Sequence, residues 1–230
     1  MTDDPVFLVT GASSGIGAAT ARAAASAGWR LVLAARSIDR LEQLAAELGG
    51  PRRAVAVECD VTEWADQQAA VMTSLEHFGR LDAAWANAGF GAERSFLGDT
   101  VEHWREMVLT NVYGAALTIR ASLPPLREFR GHLLLTGSVA GRKAMPGSLY
   151  SATKHAVHAM AESVRLELDG SGVRVTVIAP GLVDTPFFAQ VPLETPLQPE
   201  DVAAAVMYAL SQPRHVDVSE VLVRPTAQPH

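Results

Sequence analysis

From one end of this 230-residue chain to the other, short runs rich in β-branched residues and leucine alternate with longer alanine-rich stretches. That alternation constrains the fold most, because strand, helical crossover and strand in repetition build a parallel sheet covered by helices. Seven runs read as strands: 6–9, 30–35, 54–58, 82–86, 132–136, 173–179 and 220–224. Between them Leu41, Leu44, Ala45 and Leu48 fall at helical spacing, and Thr62 and Thr100 stand where helix N-caps belong. Right-handed crossovers then require an α/β, doubly wound sheet with helices on both faces. No linker or repeat interrupts the pattern, so residues 1–230 are expected to form a single domain.

Directly after the first strand comes Thr10-Gly11-Ala12-Ser13-Ser14-Gly15-Ile16-Gly17, which opens an alanine-rich helix ending at Gly28. A tight strand-to-helix turn needs glycine where φ is positive or where a side chain would block a phosphate, and the free N–H groups of the new helix face the anion. Structural turns use glycine for the same steric reason, but this position points to a dinucleotide. The lysine of an ATP-binding loop is missing, which disfavours nucleotide hydrolysis. At the end of the second strand, where Asp or Glu would meet a free ribose 2′-hydroxyl, the chain reads Ala35-Arg36-Ser37. A guanidinium can pair with a 2′-phosphate, so NADP(H) is favoured over NAD(H). The alternatives are that Arg36 is a solvated helix-start residue and that Asp39 reaches the ribose.

Composition narrows the classes. With 25 acidic and 19 basic residues the formal charge is −6, without the basic excess that attracts nucleic acid. No apolar stretch approaches a membrane span, and the acidic start Met1-Thr2-Asp3-Asp4 is unlike a secretory leader, so a cytoplasmic location is expected. The lone Cys59 supports neither a disulfide nor a cysteine zinc site, and the seven histidines lack metal-ligand spacing, so no metal is expected. His155 and His158 read as helix-surface or interface residues. Residues 180–199 hold five prolines with Phe187 and Phe188, which suggests a substrate-covering loop over 182–198, or else a packed surface connection.

Tyr150 and Lys154 stand four apart, on one helix face. A phenol of ordinary pKa about 10 is a poor proton shuttle at neutral pH, and a neighbouring cation favours its ionised form. Ser138, just beyond the fifth strand, brings a hydroxyl to the sheet edge where such folds bind ligands.

Together these segments resemble the short-chain dehydrogenase/reductase family, essentially end to end. The glycine loop is similar to its T-G-x-x-x-G-x-G motif, Asp60-Val61 to its adenine-side pair, Asn87-Ala88-Gly89 to its N-A-G turn, and Tyr150 to Lys154 to its Y-x-x-x-K. Pro180-Gly181-Leu182-Val183-Asp184-Thr185 resembles the P-G-x-V-x-T segment that holds the nicotinamide carboxamide. The resemblance implies a Rossmann-type sheet of seven mainly parallel strands in the order 3-2-1-4-5-6-7. It implies a coenzyme bound by Gly11, Ser13, Ser14, Gly15, Ile16, Gly17, Arg36, Asp60, Val61, Asn87, Ala88, Gly89, Tyr150, Lys154, Pro180, Gly181, Val183 and Thr185. It also implies an active set of Asn111, Ser138, Tyr150 and Lys154, with Asn111 holding a water that links the lysine to solvent. From its spacing with Trp104, Met107 and Val108, Asn111 reads equally as a satisfied interior polar group.

The expected reaction is hydride transfer between NADP(H) and a small carbonyl or secondary alcohol, with Tyr150 as general acid/base. Relatives pair through the helices after strands four and five, so a homotetramer or homodimer is expected. A cofactor-binding regulator has no need of the proton donor, and nucleotide-sugar epimerases carry a larger C-terminal region. The substrate pocket is expected along 91–96, 139–148 and 182–191, mostly apolar, with Glu93, Arg94, Arg142 and Lys143 as polar candidates.

Overall fold

The computed structural model describes residues 4–91, 93, 95–187 and 193–228. Seven strands, β1 (Val6–Thr10), β2 (Arg30–Ala35), β3 (Ala54–Glu58), β4 (Ala83–Ala86), β5 (His132–Thr136), β6 (Arg174–Pro180) and β7 (Glu220–Val223), form one sheet in the order β3-β2-β1-β4-β5-β6-β7. All six pairings are parallel, as the expected sequence of crossovers requires. The helices are α1 (Gly15–Ser26), α2 (Ile38–Glu47), α3 (Trp64–Phe78), α4 (Val101–Val108), α5 (Ala115–Phe129), α6 (Leu149–Glu167) and α7 (Pro199–Ser211). None of the described helices is long and apolar enough to cross a membrane.

The central strands are buried on both faces, which explains why their sequences read as continuous apolar runs instead of alternating ones. Alternate residues still go to different cores. Val6, Leu8, Val32, Leu133 and Leu135 pack toward Val71, Ile119 and Val157. Phe7, Val9, Leu31, Leu33 and Leu134 pack toward Ala21, Leu41 and Val206. On that second face the Phe7 ring stacks on Trp85, with centroids 6.4 Å apart, and meets Trp29 edge-on at 5.7 Å. β4 begins one residue later than expected because the Asp82 carboxylate leaves the strand pattern to accept the Val6 N–H at 2.9 Å and to pair with Arg80.

The caps divide. Thr100 caps α4, its Oγ1 accepting the His103 N–H at 3.1 Å. Thr62 does not cap α3: its N–H and hydroxyl both donate to Asp60 Oδ1, and Glu63 occupies the cap position. The Asp60 carboxylate competes successfully for a hydroxyl that would otherwise have turned to the helix. Asn111 lies in a π-helical turn, Leu109–Gly114, that joins α4 to α5 and widens the helix where the asparagine points inward.

After β3 the chain crosses back to the other side of β1, so the connections leaving β1 and β4 diverge and open a crevice at their carboxyl ends.

Candidate active site

A cleft of about 540 Å³ occupies that crevice. At one end the loop after β1 turns into α1. Gly11 has φ +65° and Gly15 φ +51°, backbone that favours glycine. At Gly17 the constraint is space: a Cβ would stand 2.3 Å from Gly11 O and 2.9 Å from the Asn87 amide. Asn87 threads the gap, donating to Thr10 O at 3.0 Å and accepting from the Thr136 hydroxyl at 3.1 Å, and so ties β1, β4 and β5 together at their ends. The buried Thr10 hydroxyl completes the tie by donating to Trp85 O and accepting the Asn87 N–H, both at 3.0 Å.

Ser13, Ser14, Ile16 and the three loop glycines line this end, with Arg36, Asp60 and Val61 beyond. Burial alone would raise the Asp60 carboxyl. Two hydrogen bonds from Thr62 and the charge of Arg36 outweigh it and hold the group below the usual carboxylate range. Asp39, in the first turn of α2, is not among the lining residues. Cys59 lines the cleft too, but burial first, then Asp66 and Asp60, push its thiol up to about 12, so it is no nucleophile at neutral pH.

At the other end Ala88, Gly89, Ser138, Tyr150, Lys154, Pro180, Gly181, Val183 and Thr185 line the same cleft. Ser138 terminates β5 and caps the short turn Val139–Gly141, its Oγ accepting the Ala140 N–H at 3.1 Å. Tyr150 stands in the first turn of α6, which is capped by the Ser148 side chain. Desolvation raises the Tyr150 phenol to about 12, opposed by a hydrogen bond with Ser138. The Lys154 ammonium is a neighbour of the ring and not, among the described residues, a partner of the hydroxyl. The ammonium donates instead to Thr136 O at 2.7 Å and lies 5.6 Å from the Tyr150 ring centroid. Burial lowers Lys154 itself to about 8, leaving it mostly protonated at pH 7.

Asn111 does not line the cleft. Its buried amide accepts the Phe90 N–H at 3.0 Å and donates to Phe90 O at 2.8 Å and to the Thr153 hydroxyl at 3.2 Å. It therefore fixes the backbone that leaves the Asn87-Ala88-Gly89 turn, close beside the lysine: a Cβ on Gly89 would stand 2.9 Å from Asn111 Oδ1 and 3.7 Å from Lys154 Nζ.

The substrate-side walls are only partly those expected. Phe187 packs edge-on against Tyr150, centroids 5.6 Å apart, and Gly91 leaves room for its ring. Met145, Ser148 and Leu182 line the cleft, whereas Arg142 turns outward to Glu220 and lines none of it. Arg94 and residues 188–192, Phe188 among them, lie outside the described residues. Gln228, from the turn after β7, also lines the cleft and accepts the Leu182 N–H at 2.9 Å. A Cβ on Gly181 would lie 2.2 Å from that glutamine oxygen, so this glycine is explained by the approach of the carboxyl-terminal turn. Nothing local in the sequence signals that contact, which spans 46 positions. Of the two histidines, His155 is exposed as expected, but His158 is not a surface residue: one turn beyond Lys154 on α6, it faces inward beneath the Ser138 turn.

Known proteins are similar to this chain along most of its length. The family described as short chain dehydrogenase matches residues 5–195. An uncharacterised oxidoreductase of Staphylococcus saprophyticus is 40% identical over 228 residues, covering 96% of this chain and 97% of the relative. An alcohol dehydrogenase from the archaeon Thermococcus sibiricus, complexed with 5-hydroxy-NADP, superposes with TM-score 0.91 at 33% identity, covering 99% of both chains. A 3-ketoacyl-(acyl-carrier-protein) reductase from Brucella melitensis, complexed with NADH, superposes with TM-score 0.88 at 29% identity, covering 95% of this chain and 96% of the other. On the family match and on relatedness along almost its whole length, this chain belongs to the short chain dehydrogenase family.

Proposed function

We propose that the protein transfers hydride between NADP(H) and a small carbonyl or secondary alcohol substrate, with Tyr150 as general acid/base. One observation carries this reading: Ser138, Tyr150 and Lys154 line the same cleft as the glycine loop and Arg36. The residues fit a dinucleotide, since the cradle at Gly11, Gly15 and Gly17 would be filled or strained by any side chain. The α1 N-terminus and Ser13-Ser14 would hold the pyrophosphate, Asp60 and Val61 the adenine side, and Val183 and Thr185 the nicotinamide side. Arg36, exposed at the cleft edge beside Asp60, would take the 2′-phosphate, which makes NADP(H) the favoured coenzyme.

The bound coenzyme supplies the hydride. Ser138 would hold the carbonyl oxygen, and Tyr150 would give that oxygen its proton. A phenol kept protonated by burial is in the state that reduction needs. Lys154, anchored on Thr136 O, places a positive charge beneath the ring as phenolate develops. In the alcohol-oxidising direction each proton moves the other way.

The test is a carbonyl and alcohol panel run with NADPH and NADH side by side, repeated on Tyr150→Phe. Turnover in the variant should fall about a thousandfold with NADPH affinity nearly unchanged. Full activity after the Tyr150→Phe change would overturn the assignment. No turnover by the unaltered protein on any carbonyl would instead favour a coenzyme-sensing regulator.

We further propose a homodimer or homotetramer. Trp64 and Tyr113 are partly exposed along a groove that Leu123, Pro124, Arg120, Arg127 and Glu167 also line, a mixed apolar and charged surface suited to a second copy. Light scattering of a monomer at micromolar concentration would refute it.

A further inference from the structure

His158 takes no part in the reaction outlined above, yet it is nearly enclosed, its side chain 14% exposed. Two glycines make its place. A Cβ on Gly137 would stand 2.4 Å from His158 Nε2, and a Cβ on Gly141 2.6 Å from its Cδ2. These glycines flank the turn that carries Ser138, and neither has positive φ, so both answer to close packing: the imidazole meets each, beside Val177 at Gly137 and Lys154 O at Gly141. The Ser138 N–H points at Nε2 across 3.5 Å, at the long limit of a hydrogen bond. Nε2 as acceptor assigns the ring proton to Nδ1, which lies 4.0 Å from Glu220 Oε1 on β7. Arg142, leaving the same turn, pairs with that carboxylate.

We infer that His158 is a positioning residue for Ser138: a neutral imidazole that locks the serine's turn to the helix carrying Tyr150 and Lys154. The inference rests on the proposed roles of Ser138 and Tyr150. Those two side chains come from different elements, the end of β5 and the start of α6, and their spacing decides whether both can meet one carbonyl oxygen. His158 belongs to α6, two turns beyond Tyr150, and grips the turn from below. Arg142, Glu220, His155 and Lys154 are the charged or titratable groups around it. Desolvation first and then the charge of Arg142 lower His158 to about 4, so the ring stays an acceptor through the neutral range.

The test compares His158→Leu, which keeps bulk but loses the acceptor, with His158→Gln, which keeps an acceptor on a flexible stem. In steady-state reduction of a substrate found by the panel, the leucine variant should lose about five- to tenfold in kcat while the NADPH Kd stays unchanged. The glutamine variant should recover most of that loss. In a Ser138→Ala background the leucine change should cost nothing further, because the group it positions is gone. If the leucine variant does not fold, His158→Asn, too short to reach the turn, takes its place in the same comparison. Wild-type kcat in the variant lacking the acceptor, or an equal loss with and without Ser138, would overturn the inference. Continued turnover after Tyr150→Phe would instead defeat the catalytic reading, whatever His158 does.

Discussion

The dinucleotide end of the cleft is made from strand ends and the first turn of α1, whereas the substrate end is made from the loops around 138–148 and 181–187 and from the turn that carries Gln228. The first end is shaped by a glycine loop whose geometry is enforced by contacts such as Asn87 with Thr10 and Thr136. At the second end side chains from segments distant in sequence converge: Phe187 on Tyr150, Gln228 on Leu182. A site held by the backbone is tied to the fold that forms it. A site held by loop side chains can change its ligand while the sheet stays as it is.

Three changes would break or sharpen that contrast. Arg36→Ala removes the one cation that the described residues place at the dinucleotide end of the lining, and should raise the KM for NADPH about 10- to 100-fold while leaving that for NADH nearly unchanged. Equal effects on both coenzymes would assign Arg36 to solvent. Phe187→Ala, at the other end, should raise substrate KM up to about tenfold with little change in NADPH affinity, because it opens the wall beside Tyr150. A parallel loss of coenzyme binding would show that the two ends are not separable.

The third change concerns neither end and so serves as a control on stability. His132 is buried in β5, its Nε2 2.7 Å from the Thr176 hydroxyl. That hydroxyl already donates to Val218 O at 2.6 Å, so Nε2 must carry the proton. Among the described residues Nδ1 is left without a partner. Desolvation, then Arg174, lowers His132 from its ordinary 6.5 to about 3. Between those values the unfolded chain binds a proton that the folded one refuses, so stability falls as pH falls, by about 1 kcal/mol per pH unit. His158, depressed to about 4, acts in the same direction. His132→Asn should flatten the decline of Tm between pH 6.5 and 4.5, and an unchanged slope would assign the acid sensitivity elsewhere.

The alternation of apolar runs was enough to place all seven strands to within a residue, because the central strands are built mostly of residues that face a core and the less buried edge strands β3 and β7 keep valine-rich runs. The glycine loop and the Tyr150-to-Lys154 spacing were legible for a similar reason: their geometry is set within one turn of chain. Where competing or long-range partners decide, the residues gave no sign. Thr62 looks like a cap until Asp60 is seen to take its hydroxyl. His158 looks like a surface residue until Gly137 and Gly141 make room for it. The burial that raises the Tyr150 phenol is set by the fold around it, which no spacing encodes.

At the foot of the proline-rich segment, Val183 bridges Leu197 in parallel register, with the Asp184 N–H on Leu197 O at 2.8 Å and the Leu197 N–H on Leu182 O at 2.9 Å. Those bonds tie the neck of the segment like a drawstring, fastening Leu182, Val183 and Asp184 to Leu197 by main-chain contacts alone.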